Sequence, residues 1–246
     1  MQKMTRRQFN LLASLGLPGL SLLANRAHAQ DRPARGGKPV MDHLIWIVPD
    51  LEEGRRLFQE MTGVGSVLGG ITPGRPSSHN ALASLGNGAY LEIFSPRIAM
   101  SSGRWLDIVN KDGKPHLVSY ALRVEDRFAA LQKNIPASGL KGNGPRSMGR
   151  DRPDGIAMRW QLMTVAGSSV DLSLPFFIDW LDTRPHPSED SPTGVTLKRF
   201  ELGHPESAEL QRIFRALEID IPVVASATPT FTATLDSPKG EVVLRT

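Results

Sequence analysis

Two side chains of this sequence, His43 and Glu92, have types and positions that could do chemistry together. Glu92 is the centre of Tyr90-Leu91-Glu92-Ile93-Phe94. In an extended chain alternate side chains share a face, so Glu92 lies beside Tyr90 and Phe94, with Leu91 and Ile93 behind. A carboxylate between two aromatics is costly to bury unless something pairs with it. His43, within Asp42-His43-Leu44-Ile45-Trp46-Ile47-Val48, is the ligand-type side chain on the other apolar strand of this region. An imidazole beside a carboxylate can hold a cation or move a proton. The bland alternatives are a strand histidine bonded to Asp42 or to a backbone carbonyl, and a buried ion pair between Glu92 and an arginine such as Arg159.

The elements that must position the pair recur along the chain. After the strand that carries His43, Asp50 is an N-cap with Glu53 at the capping-box position, and Gly63 stops the helix. Short strands follow near 65–70 and 80–85, and the Gly86-Asn87-Gly88 turn leads into the strand of Glu92. The order is β-α-β-β-β over residues 41–112. A second unit, 113–180, repeats it. Its strand is 117–124, its helix is capped by Glu125 or Asp126, and its region 141–154 is either a degenerate strand or a loop. The closing hairpin is 156–163 with 168–174. Gly88 to Pro96 and Gly167 to Pro175 align without a gap, which sets Asp171 against Glu92, while Asp50 against Asp126 sets Ser119 against His43. Residues 181–194 are a connection, and 195–246 form a third, fainter unit with a helix whose apolar stripe is Leu210, Ile213, Phe214 and Leu217.

The first thirty residues are a targeting segment. Thr5-Arg6-Arg7-Gln8-Phe9 is a twin-arginine pattern, the run from Leu11 to Leu23 is apolar, and Ala27-His28-Ala29 is a small-x-small cleavage box. Residues 1–29 are therefore read as a signal peptide and 30–40 as a linker, with a periplasmic mature protein. The expected mature N-terminus is Gln30, and an intact-mass measurement on protein from the periplasm checks it; a chain retaining Met1 there would refute the assignment. Lys3, Arg6, Arg7 and Arg26 account for the whole excess of 29 bases over 25 acids. With that segment removed the chain is near neutral, so the basic charge does not argue for nucleic acid. No apolar run reaches the roughly 20 residues that cross a bilayer, so no membrane insertion is expected. There is no cysteine, which excludes disulfides, thiol catalysis and cysteine-ligated metals.

The motifs MDHLIWIVPDLEEG, NALASLGNGAYLEIFSP and LPFFIDWLDTRPHPS, in that order, resemble the glyoxalase-like domain family of the vicinal oxygen chelate superfamily. That superfamily includes glyoxalase I, extradiol dioxygenases, epimerases and bleomycin-resistance proteins. The resemblance implies an α+β fold in which two repeated βαβββ units form a cup-shaped curved sheet with helices outside; a third βαβββ-like unit follows. It also implies a divalent ion held from the first and fourth strands, by His43 and Glu92. Asp171 is the candidate third ligand, and Ser119, at the fourth position, is a poor one. One imidazole and two carboxylates suit Mn, Fe or Mg better than Zn.

Asn80 and Arg159 occupy equivalent places on the strands before the two closing strands, and could hold a substrate oxygen or carboxylate. Hairpin register decides whether they face the cup. A two-residue turn would put Asn80 opposite Glu92's face, and a three-residue loop would put it beside Glu92. Tyr90, Ser119 and the loop residue His79 complete the candidate substrate contacts. The expected partner is a small-molecule ligand or substrate. The reaction is read two ways: a metal-assisted lyase, isomerase or dioxygenase with Glu92 as the catalytic base, or a metal-free binding protein that sequesters a small molecule. The third unit either packs against the second or pairs with its copy in a homodimer, since its sheet has an edge to cover.

Overall fold

The computed structural model describes residues 37–70, 79–125, 128–151 and 155–246, all within one unit, Ala34–Thr246. The N-terminal segment, most of the linker, the Asp126 cap and the loop 71–78 lie outside the described residues.

β1 (Val40–Ile47) is buried on both faces, which is why its sequence is a continuous apolar run rather than an alternation. Leu44 and Trp46 point outward to the helices, whereas Ile45 and Ile47 point inward with Phe94. α1 (Leu51–Thr62) begins as the sequence requires. The Asp50 carboxylate accepts the Glu53 N–H at 2.9 Å, and Gly63 closes the helix in the left-handed region at φ 78°. Gly54 lets this helix lie against β1: a Cβ at that position would come within 2.7 Å of the Val48 side chain. Gly54→Ala is expected to cost about 1–3 kcal/mol through overpacking, read as a lower denaturant midpoint at unchanged slope.

β2 (Val67–Leu68), β3 (Asn80–Ser84) and β4 (Tyr90–Phe94) complete the first unit, followed by α2 (Pro96–Ala99) and α3 (Arg104–Asp112). The second unit runs β5 (His116–Arg123), α4 (Ala129–Ser138), β6 (Lys141–Asp151), β7 (Ala157–Ala166) and β8 (Phe176–Asp179). The eight strands form one sheet in the order β2-β3-β4-β1-β5-β8-β7-β6. That order is two copies of one arrangement meeting at the antiparallel β1–β5 seam, with β1 parallel to β4 and β5 parallel to β8. The expected pair of βαβββ units is the observed fold.

Of the two readings of the region 141–154 the strand holds, as β6 over residues 141–151. One element of the second unit differs from expectation. The closing strand is β8, while the segment 168–174 is a turn ending in the 3₁₀ stretch Asp171–Ser173. The cause is local. The Asp171 carboxylate accepts the backbone N–H groups of Gly167 and Ser168 at 2.9–3.0 Å, and this side-chain capture bends the chain out of the extended path. The unbroken apolar run Phe176-Phe177-Ile178 then supplies the strand, buried on both faces.

The third unit has the expected order of elements: β9 (Thr196–His204), α5 (Ser207–Ala216), β10 (Val223–Ala225), β11 (Thr230–Ser237) and β12 (Gly240–Arg245). Its strands are ordered β10-β9-β11-β12, with β9 parallel to the strand directly after its helix. It is thus not a third copy of the cup unit. Its sheet packs on the outer face of the large sheet, at the β1–β5 seam. There Tyr120 of β5 meets Phe200 and Phe231 at ring distances of 4.9 and 5.9 Å. Leu44, Trp46, Phe200, Leu202, Phe231 and Leu235 belong to one continuous core. Arg212 of α5 donates to the Ser138 carbonyl at the end of α4, and Lys239 donates to the Glu60 carbonyl of α1, each at 2.9 Å. Of the two expected arrangements the chain shows an internal one, and it spans both cup units rather than the second alone.

Candidate functional site on the inner face

The parallel β1–β4 register sets His43 opposite Tyr90 and Ile45 opposite Glu92. The imidazole stacks on the Tyr90 ring at 4.6 Å, and Phe176 of β8 approaches it edge-on at 5.4 Å. His43 Nε2 lies 3.8 Å from Glu92 Oε2. The pair proposed from the two strands therefore meets on one face. The gap is too long for a hydrogen bond, and one small group lying beside both atoms could contact each of them.

Asn80 joins the pair. The hairpin loop is the three-residue alternative, Gly86-Asn87-Gly88, all at positive φ. Leu82 faces Glu92 across the ladder and Asn80 faces Phe94, so Asn80 shares the inner face. Its Nδ2 donates to Glu92 Oε1 at 2.6 Å, which leaves Oε2 turned toward the imidazole.

Asp42 is the hub that the sequence showed only as a bland neighbour. A β-bulge lies between Met41 and His43, so β1 carries one extra residue against β5 at that point. The bulge turns Asp42 inward with His43, where its carboxylate is fully buried. Asp42 Oδ1 accepts His43 Nδ1–H at 2.7 Å, and Oδ2 accepts His186 Nε2–H at 3.0 Å and Trp180 Nε1–H at 3.1 Å. Arg123 Nη1 approaches the same oxygen at 3.4 Å. Burial alone would push this carboxyl up. The bonds from His186 and His43 outweigh it and hold Asp42 well below the usual carboxylate range. An ionised Asp42 accepts only, so it fixes a proton of His43 on Nδ1 and turns Nε2 toward Glu92. Ser188 in turn donates to His186 Nδ1 at 2.8 Å, buttressing the second imidazole from the same turn.

Other candidates fall elsewhere. Asp171 caps its own turn and does not join the pair. Among the described residues no group of three His, Asp or Glu side chains could hold a metal. Setting Ile45 against Ala121, the spacing that carries His43 onto Ser119, puts Phe176 where the first unit has Glu92. The second unit thus contributes a hydroxyl and a phenyl ring where two ligands were required. The residues present do not fit a tightly held divalent ion, which takes at least three protein ligands. Arg159 is exposed on the outer side, its guanidinium on the carbonyls of Met158 and Arg150. Its equivalence with Asn80 fails because Met158, not Arg159, faces inward. Ser119 is half-buried opposite Ile45, and His79 packs edge-on against Phe94 at 5.4 Å.

The recess is small. α3 lays Trp105, Leu106, Ile108 and Val109 over Ile45, Ile47 and Phe94. On the other side Trp180 and His186 close over Asp42. Between them the Glu92 side chain keeps 16% exposure against 5% for His43, so Glu92 is the solvent-facing member of the pair. A separate cavity of about 340 Å³ lies against the third unit, lined by Val40, Met41, Leu122, Leu197, Phe200 and Ile221. It holds none of the groups described above, and the chemistry is assigned to the inner face.

A curved sheet of two βαβββ halves, with an imidazole and a carboxylate facing each other inside it, defines a cup protein of the vicinal oxygen chelate class. The glyoxalase-like domain model matches residues 41–218, and the chain belongs to that family. No curated protein matches it. Among solved structures, a hypothetical protein from Staphylococcus aureus is similar at 15% identity and a TM-score of 0.56, over 84% of this chain and 85% of that one. A methylmalonyl-CoA epimerase from Mycobacterium tuberculosis aligns at 18% identity and a TM-score of 0.37, over 57% of this chain and 85% of its own. The Streptomyces coelicolor methylmalonyl-CoA epimerase in complex with 2-nitronate-propionyl-CoA aligns at 13% and 0.39, over 58% and 98%.

Proposed function

We propose that this protein is an enzyme that moves a proton on carbon next to a carbonyl in a small oxygen-rich molecule, as an isomerase, epimerase or lyase does. The observation that carries the reading is the arrangement Asp42–His43···Glu92–Asn80 on the inner face. Glu92 Oε2 takes the proton from carbon, and the C–H electron pair passes onto the carbonyl oxygen. With a proton on Nε2, His43 donates it to that oxygen, and the buried Asp42 carboxylate stabilises the imidazolium beforehand. Glu92 returns the proton to the same carbon or its neighbour while an enol hydroxyl gives a proton back to His43, which completes the exchange. No metal enters these steps, because the donor set does not fit one. The N-terminal reading adds export to the periplasm.

The test is hydrogen exchange in D2O, followed by NMR, on hydroxyacetone, pyruvate and lactate. The wild type is expected to wash out the C–H signal of at least one of them, and Glu92→Gln to abolish this. Equal, uncatalysed exchange with both proteins would sink the proposal. It would leave the second reading, a metal-free binding protein, which the aromatic walls Tyr90, Phe176, Trp160 and Trp180 favour.

A further inference from the structure

One cation on the inner face has no role in the network above. Arg150 of β6 stands opposite Met158, whose side chain packs with Tyr90 and Trp180 in the inner cluster, so Arg150 points to that side. It reaches across the mouth of the cup. Nη1 approaches the Gly70 carbonyl at 3.5 Å, and a Cβ on Gly70 would meet Nε and Cζ at 3.5 and 3.6 Å. Gly70 follows β2, while β6 is the opposite edge of the eight-stranded sheet, so this one side chain bridges the two rims.

Its hydrogen bonding is unfinished. Nε is buried with no hydrogen-bond partner, and among the described residues no carboxylate pairs with the guanidinium. A buried donor left without an acceptor is costly, and more so when charged. The other inner arginine near the site is engaged: Arg123 donates to the Gly88 carbonyl at 3.0 Å and approaches Asp42. Arg150 also lies within electrostatic reach of the Tyr90 phenol. Burial, then Asp42 and Glu92, push that phenol up, and Arg150 works against them. The guanidinium therefore belongs to the same electrostatic neighbourhood as the His43–Glu92 pair. A planar fork of donors with an open Nε suits a carboxylate or phosphate, gripped through two parallel bonds.

We propose that Arg150 is the anion anchor of the cup: the substrate carries a carboxylate or phosphate group held by this guanidinium while its carbonyl end reaches Glu92. The proposal deepens the proton-transfer reading by naming the substrate class, small anionic oxygenated molecules, and its test reads binding rather than turnover. Trp160 and Trp180, 5.4 Å apart in the inner cluster, supply the fluorescence signal. Wild type, Arg150→Met, Arg150→Lys, Arg159→Met and Glu92→Gln are titrated with pyruvate, inorganic phosphate and neutral hydroxyacetone. Saturable binding of pyruvate or phosphate to the wild type is expected, weakened about tenfold or more by Arg150→Met and less by Arg150→Lys. Arg159→Met, on the back of the same hairpin, and Glu92→Gln should keep the anion affinity, and hydroxyacetone should not discriminate. A response to pyruvate alone assigns a carboxylate, to phosphate alone a phosphate. Anion binding unchanged in Arg150→Met, or absent from the wild type, overturns the proposal. So does loss of the native melting transition in both Arg150 variants, which would make the residue a strut. Anion binding that survives in Glu92→Gln without any exchange activity in the wild type would retain the anchor and remove the proton-transfer reading.

Discussion

Asp42→Ala is expected to destabilise the protein by about 3–5 kcal/mol, the cost typical of breaking a buried charged network from one side. The carboxylate receives bonds from His43, His186 and Trp180, and removing it leaves three buried N–H donors without acceptors. Denaturant unfolding should show a lower midpoint at unchanged slope. The pH dependence follows with its sign. Asp42 titrates below its ordinary value in the folded state, so its contribution is complete above the unfolded carboxylate value of about 4. As the pH falls from there toward the depressed folded value that contribution disappears. Asp42→Asn should accordingly flatten the acid limb of the stability curve. A loss under about 1 kcal/mol, with an unaltered acid limb, would show that Asp42 is not the hub.

Glu92→Gln is expected to lower proton exchange by about 10²–10⁴-fold, the range spanned by general acid–base groups. Stability should change little, because a glutamine carbonyl can still accept the Asn80 amide and the side chain is the most exposed of the group. His43→Gln should lower exchange comparably but also cost stability, since the Asp42 oxygen loses its shortest bond and Tyr90 its stacking partner. The contrast separates a catalytic carboxylate from a structural one. An equal loss of stability in both variants, with exchange untouched in Glu92→Gln, would contradict the assignment.

The parts of the site legible in the sequence are those fixed by strand periodicity. His43 and Glu92 each sit in the middle of an apolar strand, so their faces follow from alternation alone, and the duplicated units bring the strands together. Asn80 was legible only as a pair of alternatives, because its face depends on whether the turn takes two residues or three. Asp42 was hidden by the bulge. Alternation places it opposite to His43, and one inserted residue against β5 cancels that rule. Trp180 and His186 lie well over a hundred residues away in sequence, in the motif LPFFIDWLDTRPHPS, and nothing local ties them to Asp42. Asp171 misled because an aspartate after glycine and serine prefers to cap its own turn, an energy that apolar alternation does not register. Arg159 misled in turn because the β6–β7 register decides which arginine of the hairpin faces inward, and it selects Arg150.

The C-terminal sheet has its own lesson. Its helix and strands follow from the stripe Leu210, Ile213, Phe214 and Leu217, but its strand order is set by pairing across the unit, which sequence pattern does not encode. Because that sheet lies over the β1–β5 seam and is tied to α1 on one side and α4 on the other, it works as a strap. Separating the two halves of the cup would break these contacts with both helices. In this structure the recess is assembled from the chain's own two halves and fastened across their seam.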